Sequence, residues 1–426
     1  MKIIIPDYLK KIIERLSENG FPTYVVGGSV RDILMNKEPV DWDIATLAEP
    51  QEVISVFSDK KVLKTGEKFG TVTIVENEGI VEVTTFRSEG NYTDGRHPDR
   101  VRFEKNIETD LSRRDFTINA IAYNVESGFI DPYGGVVDIR NKILKAVGDP
   151  KERFSEDHLR MMRAVRFYAV LSFKMELNTR NAFKDLAENI KKVSPERVSA
   201  ELSQILMSEN PAKGVKMLLD TTLIKHLMPE THIVLEHEKS NKDFLDCILC
   251  ILDNTPKILH IRLAALFLKP NAAIKMDTHG ETFTIIMKRL CFSNDLIKKV
   301  AMLIRASEDF NFSTERLYIK RTIRNIGKRN IHDLIKFMES IVYCSGEKKH
   351  IEAITIIKRT IDEILKNKEP INISDLNIDG NGIKRLGIDE GIIVGEILEY
   401  LMDVVLIEPK LNRKDLLIEI IKDKWM

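Results

Sequence analysis

The chain has 426 residues, and 65 Lys and Arg are balanced by 65 Asp and Glu, so the formal net charge is zero. That length is enough for two or more domains. With 43% apolar and 31% charged residues, the composition is that of an ordinary soluble protein and excludes a disordered or collagen-like chain. Neutrality leaves a polyanionic partner open, because a basic stripe can be offset by acids elsewhere. The N-terminus lacks the basic-then-apolar pattern of a signal peptide, and no stretch is long and apolar enough to cross a bilayer. No membrane association and a cytoplasmic location are therefore expected. Cysteines stand at 247, 250, 291 and 344. Cys247 and Cys250 form a C-x-x-C inside an apolar run, FLDCILCIL, with no second pair at zinc-ligand spacing, and read as core.

In chain order, residues 3–20 read as an amphipathic helix through Leu9, Ile12, Ile13 and Leu16, starting at Pro6 and Asp7. Tyr24, Val25 and Val26 then lead as a strand into a tight turn at Gly27 and Gly28. Ile33, Leu34 and Met35 continue as a short helix. Asp41 and Asp43 are two apart, so on a strand both carboxylates share one side while Trp42 and Ile44 face the core. Two carboxylates beside a glycine turn with free backbone N–H groups suggest a place for divalent metal and polyphosphate. A helix is expected over Glu49–Phe57, and strands over Val62–Leu63, Thr71–Val75 and Val81–Phe86. Glu82 and Thr84 share one strand face, which makes Glu82 a third candidate carboxylate. These elements form a small α/β domain to about residue 140.

Arg87–Phe103, RSEGNYTDGRHPDRVRF, is polar and reads as a mobile functional loop over the site. Ile107–Ala122 fits a helix through Leu111, Ile118 and Ile121, and its adjacent Arg113 and Arg114 suit phosphates. Asp131–Gly135 is a turn. Beyond Pro150 the strand signal nearly vanishes. Asp157 and Arg160 lie one helical turn apart, as do Arg160 and Arg163. Another helix begins near Pro195 after Ser194 and carries Glu196, Arg197 and Glu201. Residues 211–365 show ordinary helical periodicity. Within them Arg316, Lys320, Arg321, Arg324, Lys328 and Arg329 form either a backbone-binding stripe or a solvated helix face. The segment 366–426 carries Gly380, Gly382, Gly387, Gly391 and Gly395, which permit close approach of a phosphate backbone or a partner helix.

Seven pieces occur in a fixed order: GGSVRD (27–32), DWDIAT (41–46), FRSEGNYTDGRHPD (86–99), RRDFTINA (113–120), DPYGG (131–135), RFSEDHLRMMRAVRF (153–167) and SPERVSAEL (194–202). A lone DxD is common; this ordered set resembles the class II nucleotidyltransferase family, which comprises bacterial CCA-adding enzymes and bacterial poly(A) polymerases. The tail is similar too, through LGIDEGIIVGEIL and Asn412, while the middle helices match weakly. The resemblance implies an α+β protein: a small mixed α/β nucleotidyltransferase head (1–140), then an all-helical neck for base recognition (141–210), a body with a degenerate HD-like region and RNA binding (211–365), and a tRNA-binding tail (366–426). Some relatives carry an HD phosphohydrolase motif in a run like HIRLAALFL (260–268). Here no His-Asp pair follows, His237 and His260 are poor metal ligands, and no phosphohydrolase activity is expected.

The implied reaction is nucleotidyl transfer. The 3′-hydroxyl of tRNA attacks the α-phosphorus of CTP or ATP, pyrophosphate leaves, and two Mg²⁺ ions assist. Asp41 and Asp43 are the implied catalytic metal ligands, with Glu82 third. Gly27, Gly28, Ser29, Arg31 and Arg114 would bind the triphosphate. Asp32, Asp115, Asn119 and Glu156 would support, and Arg31 with Asp32 would instead brace the turn if they pair. No G-x-x-x-x-G-K-[ST] is present, so the site is not a P-loop. Asp157 and Arg160, with Arg163 behind, would read the base. Cytosine and adenine both present an exocyclic amine beside a ring-nitrogen acceptor, matching a carboxylate and a guanidinium. Uracil would set a carbonyl against Asp157, at roughly 1–3 kcal/mol. Arg316, Lys320, Arg321, Arg324 and Lys328 are the RNA-binding candidates. The intact Glu89–Asp99 loop and the EDHLRMMRAVRF wording look most like a CCA-adding enzyme. An A-adding enzyme or poly(A) polymerase, or an inactive tRNA-binding protein, are the alternatives; a sugar-nucleotide transferase fits the ordered motifs poorly.

Overall fold

In a computed structural model of the chain, the described residues are 5–90, 101–231, 242–268, 281–389 and 391–426. The chain divides into two compact units, Met1–Glu238 with Arg289–Cys291, and Lys239–Lys288 with Phe292–Met426.

The first unit is built on a seven-stranded mixed sheet. Its strands are β1 (Thr23–Val26), β2 (Trp42–Thr46), β3 (Lys61–Leu63), β4 (Thr71–Val75) and β5 (Ile80–Thr85). A separate two-stranded ribbon, β6 (Arg87–Glu89) with β7 (Val101–Phe103), follows, and β8 (Ala122–Asn124) and β9 (Gly128–Ile130) complete the sheet. The sheet order is β3-β4-β5-β2-β1-β8-β9. Only the β2–β5 pair is parallel, and it sets Asp43 opposite Glu82, while antiparallel β1–β2 sets Val26 opposite Asp43. Alternation does what the pattern predicts: Trp42 and Ile44, like Val81, Val83 and Thr85, are buried.

Helix α1 (Asp7–Glu18) buries Leu9, Ile12, Ile13 and Leu16, an i, i+3, i+4, i+7 stripe. Helices α2 (Gly28–Leu34) and α3 (Pro50–Val56) follow β1 and β2. The expected helix over 107–122 is broken. Helix α4 (Ile107–Ser112) ends at Arg113, and Phe116 is extended and bridges Ala146. Thr117 N–H donates to Lys145 O at 2.9 Å and Val147 N–H to Asp115 O at 3.2 Å. Pairing with 145–147 takes the backbone donors a helix would need. Strands β8 and β9 were likewise absent from the sequence reading. Gly135, heading α5 (Gly135–Asn141), packs so tightly that an added Cβ would lie 2.1 Å from Thr117 O.

Helices α6 (Pro150–Glu156) and α7 (Leu159–Leu171) meet at Asp157, whose extended backbone ends α6. Helix α7 buries Met161, Met162, Ala164 and Val165. Its Arg160, Arg163 and Arg166 recur every third residue along one face. The helix Pro195–Leu206 packs on α7.

Helices make up the described part of the second unit. Ile378, Ile383, Val394, Ile397, Leu401, Val405, Leu417 and Ile421 form a core for the tail. Asn412 ties it: its Oδ1 accepts Asn377 N–H at 2.8 Å and its Nδ2 donates to Asp375 O at 2.9 Å. Cys250, read from the sequence as a core residue, is part of a disulfide. It is bonded to Cys344, 5.9 Å away between Cα atoms, because the helices Lys242–Asn254 and Ile331–Ser345 pack side by side; Cys247 is free. His260 Nε2 lies 2.9 Å from Asp333 Oδ2. His237 lies outside the described residues. Among the described residues, no helix is long and apolar enough to cross a membrane.

Candidate active site

A cavity of about 900 Å³ opens in the first unit. Its lining includes Gly27, Gly28, Ser29, Arg31, Asp32, Asp41, Asp43, Glu82, Arg114, Asp115, Asn119, Asp157, Arg160 and Arg163. Every head and neck site residue expected from the sequence is therefore there except Glu156, which lies behind it. The second-unit candidates, Arg316 to Lys328, are not among the lining residues.

At one end, Gly27 connects β1 to α2 with φ +75°, a conformation that favours glycine. A Cβ there would stand 2.9 Å from Arg114 Nη1. The first-turn N–H groups of α2 have no intrahelical acceptor by position. Ser29 differs from expectation: its hydroxyl is buried and donates to Val26 O at 3.0 Å, so its backbone N–H is what it can offer. Arg31 is engaged as well, to Asp32 Oδ1 at 2.9 Å and to Asn119 Oδ1 at 2.7 Å, with its guanidinium 5.2 Å from the Phe167 ring centre. Arg31 and Asp32 thus do pair beside the turn.

Asp41 precedes β2, Asp43 lies within it, and Glu82 stands in register on β5. Burial, then Glu82 and Asp41, push the Asp43 carboxyl above the usual carboxylate value, and Arg114 opposes them. Among the described residues, no group of three or more acidic, His or Cys side chains is placed to hold a metal ion. Carboxylates crowded at a polar cavity fit a cation that takes its remaining ligands from substrate phosphate and water, as Mg²⁺ does.

Asp110 was given no role in the sequence reading. It is fully buried on α4, with Oδ1 accepting from Arg113 Nη2 at 2.7 Å and Oδ2 from Arg114 Nη2 at 3.1 Å. Its spacing to both arginines, three and four residues on, was the available signal. Burial would raise the Asp115 carboxyl, but Arg163, Asn119 and Arg160 outweigh it and hold the group at about 2. Arg163 Nε donates to Asp115 Oδ2 at 2.7 Å, and Asn119 Nδ2 to Oδ1 at 3.0 Å.

At the other end, Asp157 and Arg160 are not a bare pair. Arg197 Nη2 donates to Asp157 Oδ2 at 2.8 Å. Arg160 donates to Glu156 Oε2 at 2.5 Å, to Arg153 O at 3.1 Å and to Arg113 O at 2.9 Å. The sequence reading missed Arg197 as Asp157's partner, since the two are 40 residues apart. It missed Arg166 too, which continues the every-third-residue arginine face. Arg166 Nε lies 3.0 Å from Glu201 Oε2, yet both atoms are buried without hydrogen-bond geometry. Burial pushes Arg166 down and Glu201 up. The polar loop expected over the site falls largely on residues 91–100, outside the described residues.

Comparison with known proteins agrees with the motifs. Residues 23–145 match the poly A polymerase head domain, and 172–235 match the probable RNA- and SrmB-binding site of polymerase A. The CCA-adding enzyme of Ligilactobacillus salivarius is 34% identical over 97% of this chain and 96% of its own. A crystal structure of the Bacillus stearothermophilus CCA-adding enzyme in complex with CTP superposes with a TM-score of 0.76, at 26% identity, covering 99% of both chains. The Thermotoga maritima CCA-adding enzyme complexed with tRNA shares the fold, with a TM-score of 0.62 at 22% identity over 99% of this chain and 96% of that one. With identity sustained along nearly the whole chain, the protein belongs to the family of CCA-adding enzymes, which are nucleotidyltransferases.

Proposed function

We propose that this chain adds C, C and A to the 3′ end of tRNA from CTP and ATP, without a nucleic-acid template, by attack of the terminal 3′-hydroxyl on the α-phosphorus with release of pyrophosphate. The single observation that supports the residue roles is the cavity, which joins a carboxylate cluster, a glycine turn and an acid–arginine pair in one space.

Asp41 and Asp43, with Glu82 beside them, would hold Mg²⁺, which when bound makes the hydroxyl a better nucleophile and offsets charge on the phosphates. Arg114, set against the Gly27 turn, and the first-turn N–H groups of α2 bind the triphosphate. Arg31 braces the turn through Asp32 and Asn119. Asp157 accepts from the exocyclic amine of cytosine or adenine, and Arg160 donates to the adjacent ring nitrogen. Three hydrogen bonds already fix the Arg160 guanidinium, and Arg197 fixes Asp157. The reading pair is thereby rigid before the base arrives. Uracil presents a carbonyl to Asp157, at roughly 1–3 kcal/mol. Asp115, held ionised, anchors Arg163 behind the pair.

The test is R197A. It leaves Asp157 without its guanidinium partner, and selectivity for CTP over UTP drops by about tenfold. Unchanged selectivity in a folded, active R197A enzyme removes Asp157 from base reading.

A further inference from the structure

We propose that Asp110 is a positioning residue for nucleotide transfer: it locks the guanidinium of Arg114 against the Gly27 turn so that the triphosphate meets a preset cation. This rests on the function proposed above and assigns the residue behind the triphosphate site.

Two arginine side chains share the Asp110 carboxylate, with the Arg87 backbone N–H a longer third donor to Oδ1 at 3.4 Å. Oδ1 takes Arg113 through Nε at 3.0 Å and Nη2 at 2.7 Å. Oδ2 takes Arg114 through Nε at 3.4 Å and Nη2 at 3.1 Å. The Nε–Nη2 edge of Arg114 is thereby occupied, and its Nη1 is left at the Gly27 turn, 2.9 Å from where a glycine Cβ would stand. Asp110 is 0% exposed, whereas the Arg113 and Arg114 side chains keep 16% and 18% exposure and line the cavity.

Stability alone is a poor account of this arrangement. Burying a carboxylate with its partners is often no better than an apolar replacement. A free arginine at a phosphate site, by contrast, loses rotamer entropy on engaging its ligand. An arginine fixed beforehand does not, so the lock acts on nucleotide binding. Arg113 meets the base-reading pair through its carbonyl, which accepts from Arg160. A change at Asp110 therefore affects CTP and ATP alike and leaves the choice of base intact.

The experiment is steady-state incorporation of C on tRNA ending before CCA, and of A on tRNA ending in CC, with melting temperatures of every variant. D110N raises KM for CTP and ATP by the same factor, about 10- to 100-fold, with kcat within about threefold and the CTP-to-UTP preference unchanged. R114A raises KM comparably, and D110N added to R114A adds less than about twofold, as expected of residues acting as one unit. D110E keeps the charge but displaces the carboxylate, and its KM rise is intermediate. If D110N does not fold, D110E carries the test with R114A. Wild-type KM in folded D110N or D110E, or multiplicative effects with R114A, overturns the proposal while leaving CCA addition in place. Absence of incorporation by the wild-type chain overturns the function it rests on.

Discussion

Two helices of this protein carry arginines or lysines at turn spacing, and they use them differently. On α7, Arg160, Arg163 and Arg166 face the cavity, each steadied by an acid: Glu156, Asp115 and Glu201. On and just beyond the helix Arg316–Ile326 of the second unit, four of the basic residues pair with acids of that unit itself, while Arg321 is exposed. Arg316 pairs with Glu369 and Glu363, Arg324 with Glu399, and Lys328 with Asp375 at 2.9 Å. Lys320 is only 2% exposed, 2.9 Å from Glu369 and 3.3 Å from Leu406 O. Lys320 therefore does not belong to a surface stripe, which corrects the sequence expectation: its ammonium is spent inside the unit. Both helices carry cations at turn spacing, every third residue on α7 and every fourth from Arg316 to Arg324. What separates them is that the α7 arginines line a cavity, whereas Arg316, Arg324 and Lys328 pair with acids at the surface and Lys320 is buried.

The sharpest way to break this contrast is at the carboxylates. D43N is expected to lower kcat on the order of 1,000-fold with the fold intact by circular dichroism. Near-wild-type turnover would mean the cavity is not where the chemistry occurs. G27A comes next. It forces a side chain into a left-handed conformation and against Arg114, and kcat/KM falls by about 10- to 100-fold, consistent with strain of about 1–3 kcal/mol. An unimpaired G27A would separate Arg114 from the turn.

The second helix gives a paired test by salt-dependent tRNA binding. R321E, on the exposed side, should weaken binding and reduce the salt slope by about 1. K320M should leave the slope unchanged and cost about 1–3 kcal/mol of stability, because it removes the buried ammonium that Glu369 accepts from. The reverse pattern would overturn the assignment of covered and open cations.

The smallest effect is a pH dependence. Asp115 is held at about 2 against an ordinary 3.8. A depressed carboxyl adds stability that is fully present above 3.8 and is lost as pH falls towards 2, worth about 2 kcal/mol. In urea unfolding, the gap between wild type and D115N should be constant from pH 7 to about 5 and narrow below pH 4. A gap that widens on acidification would contradict the sign.

Much of the head was legible in the sequence because its strands alternate and its turns carry glycine. Val81 and Val83 against Glu82, and Gly27 against Asp43, follow from period two and from a Cβ's bulk. The break of 107–122 was not legible, because Phe116 and Thr117 pair with a segment about thirty residues on, and local periodicity is blind to that. The site residues were legible as a set of motifs but not as a network. Arg197 serves Asp157, and Asp110 serves two arginines, through contacts that spacing on one helix only half reveals. Lys320 was misplaced for the converse reason: its partner Glu369 lies 49 residues away, as Glu399 and Asp375 lie 75 and 47 residues from Arg324 and Lys328.

The most direct test of CCA addition is incorporation by the purified chain on three tRNA transcripts, ending before CCA, after C and after CC, each with CTP, ATP or both and Mg²⁺, read at single-nucleotide resolution. Stepwise addition of C, C and A followed by a stop is the expected result. Addition of A to the CC-ended transcript alone, long A tails on varied RNAs, or no incorporation on any transcript would contradict it.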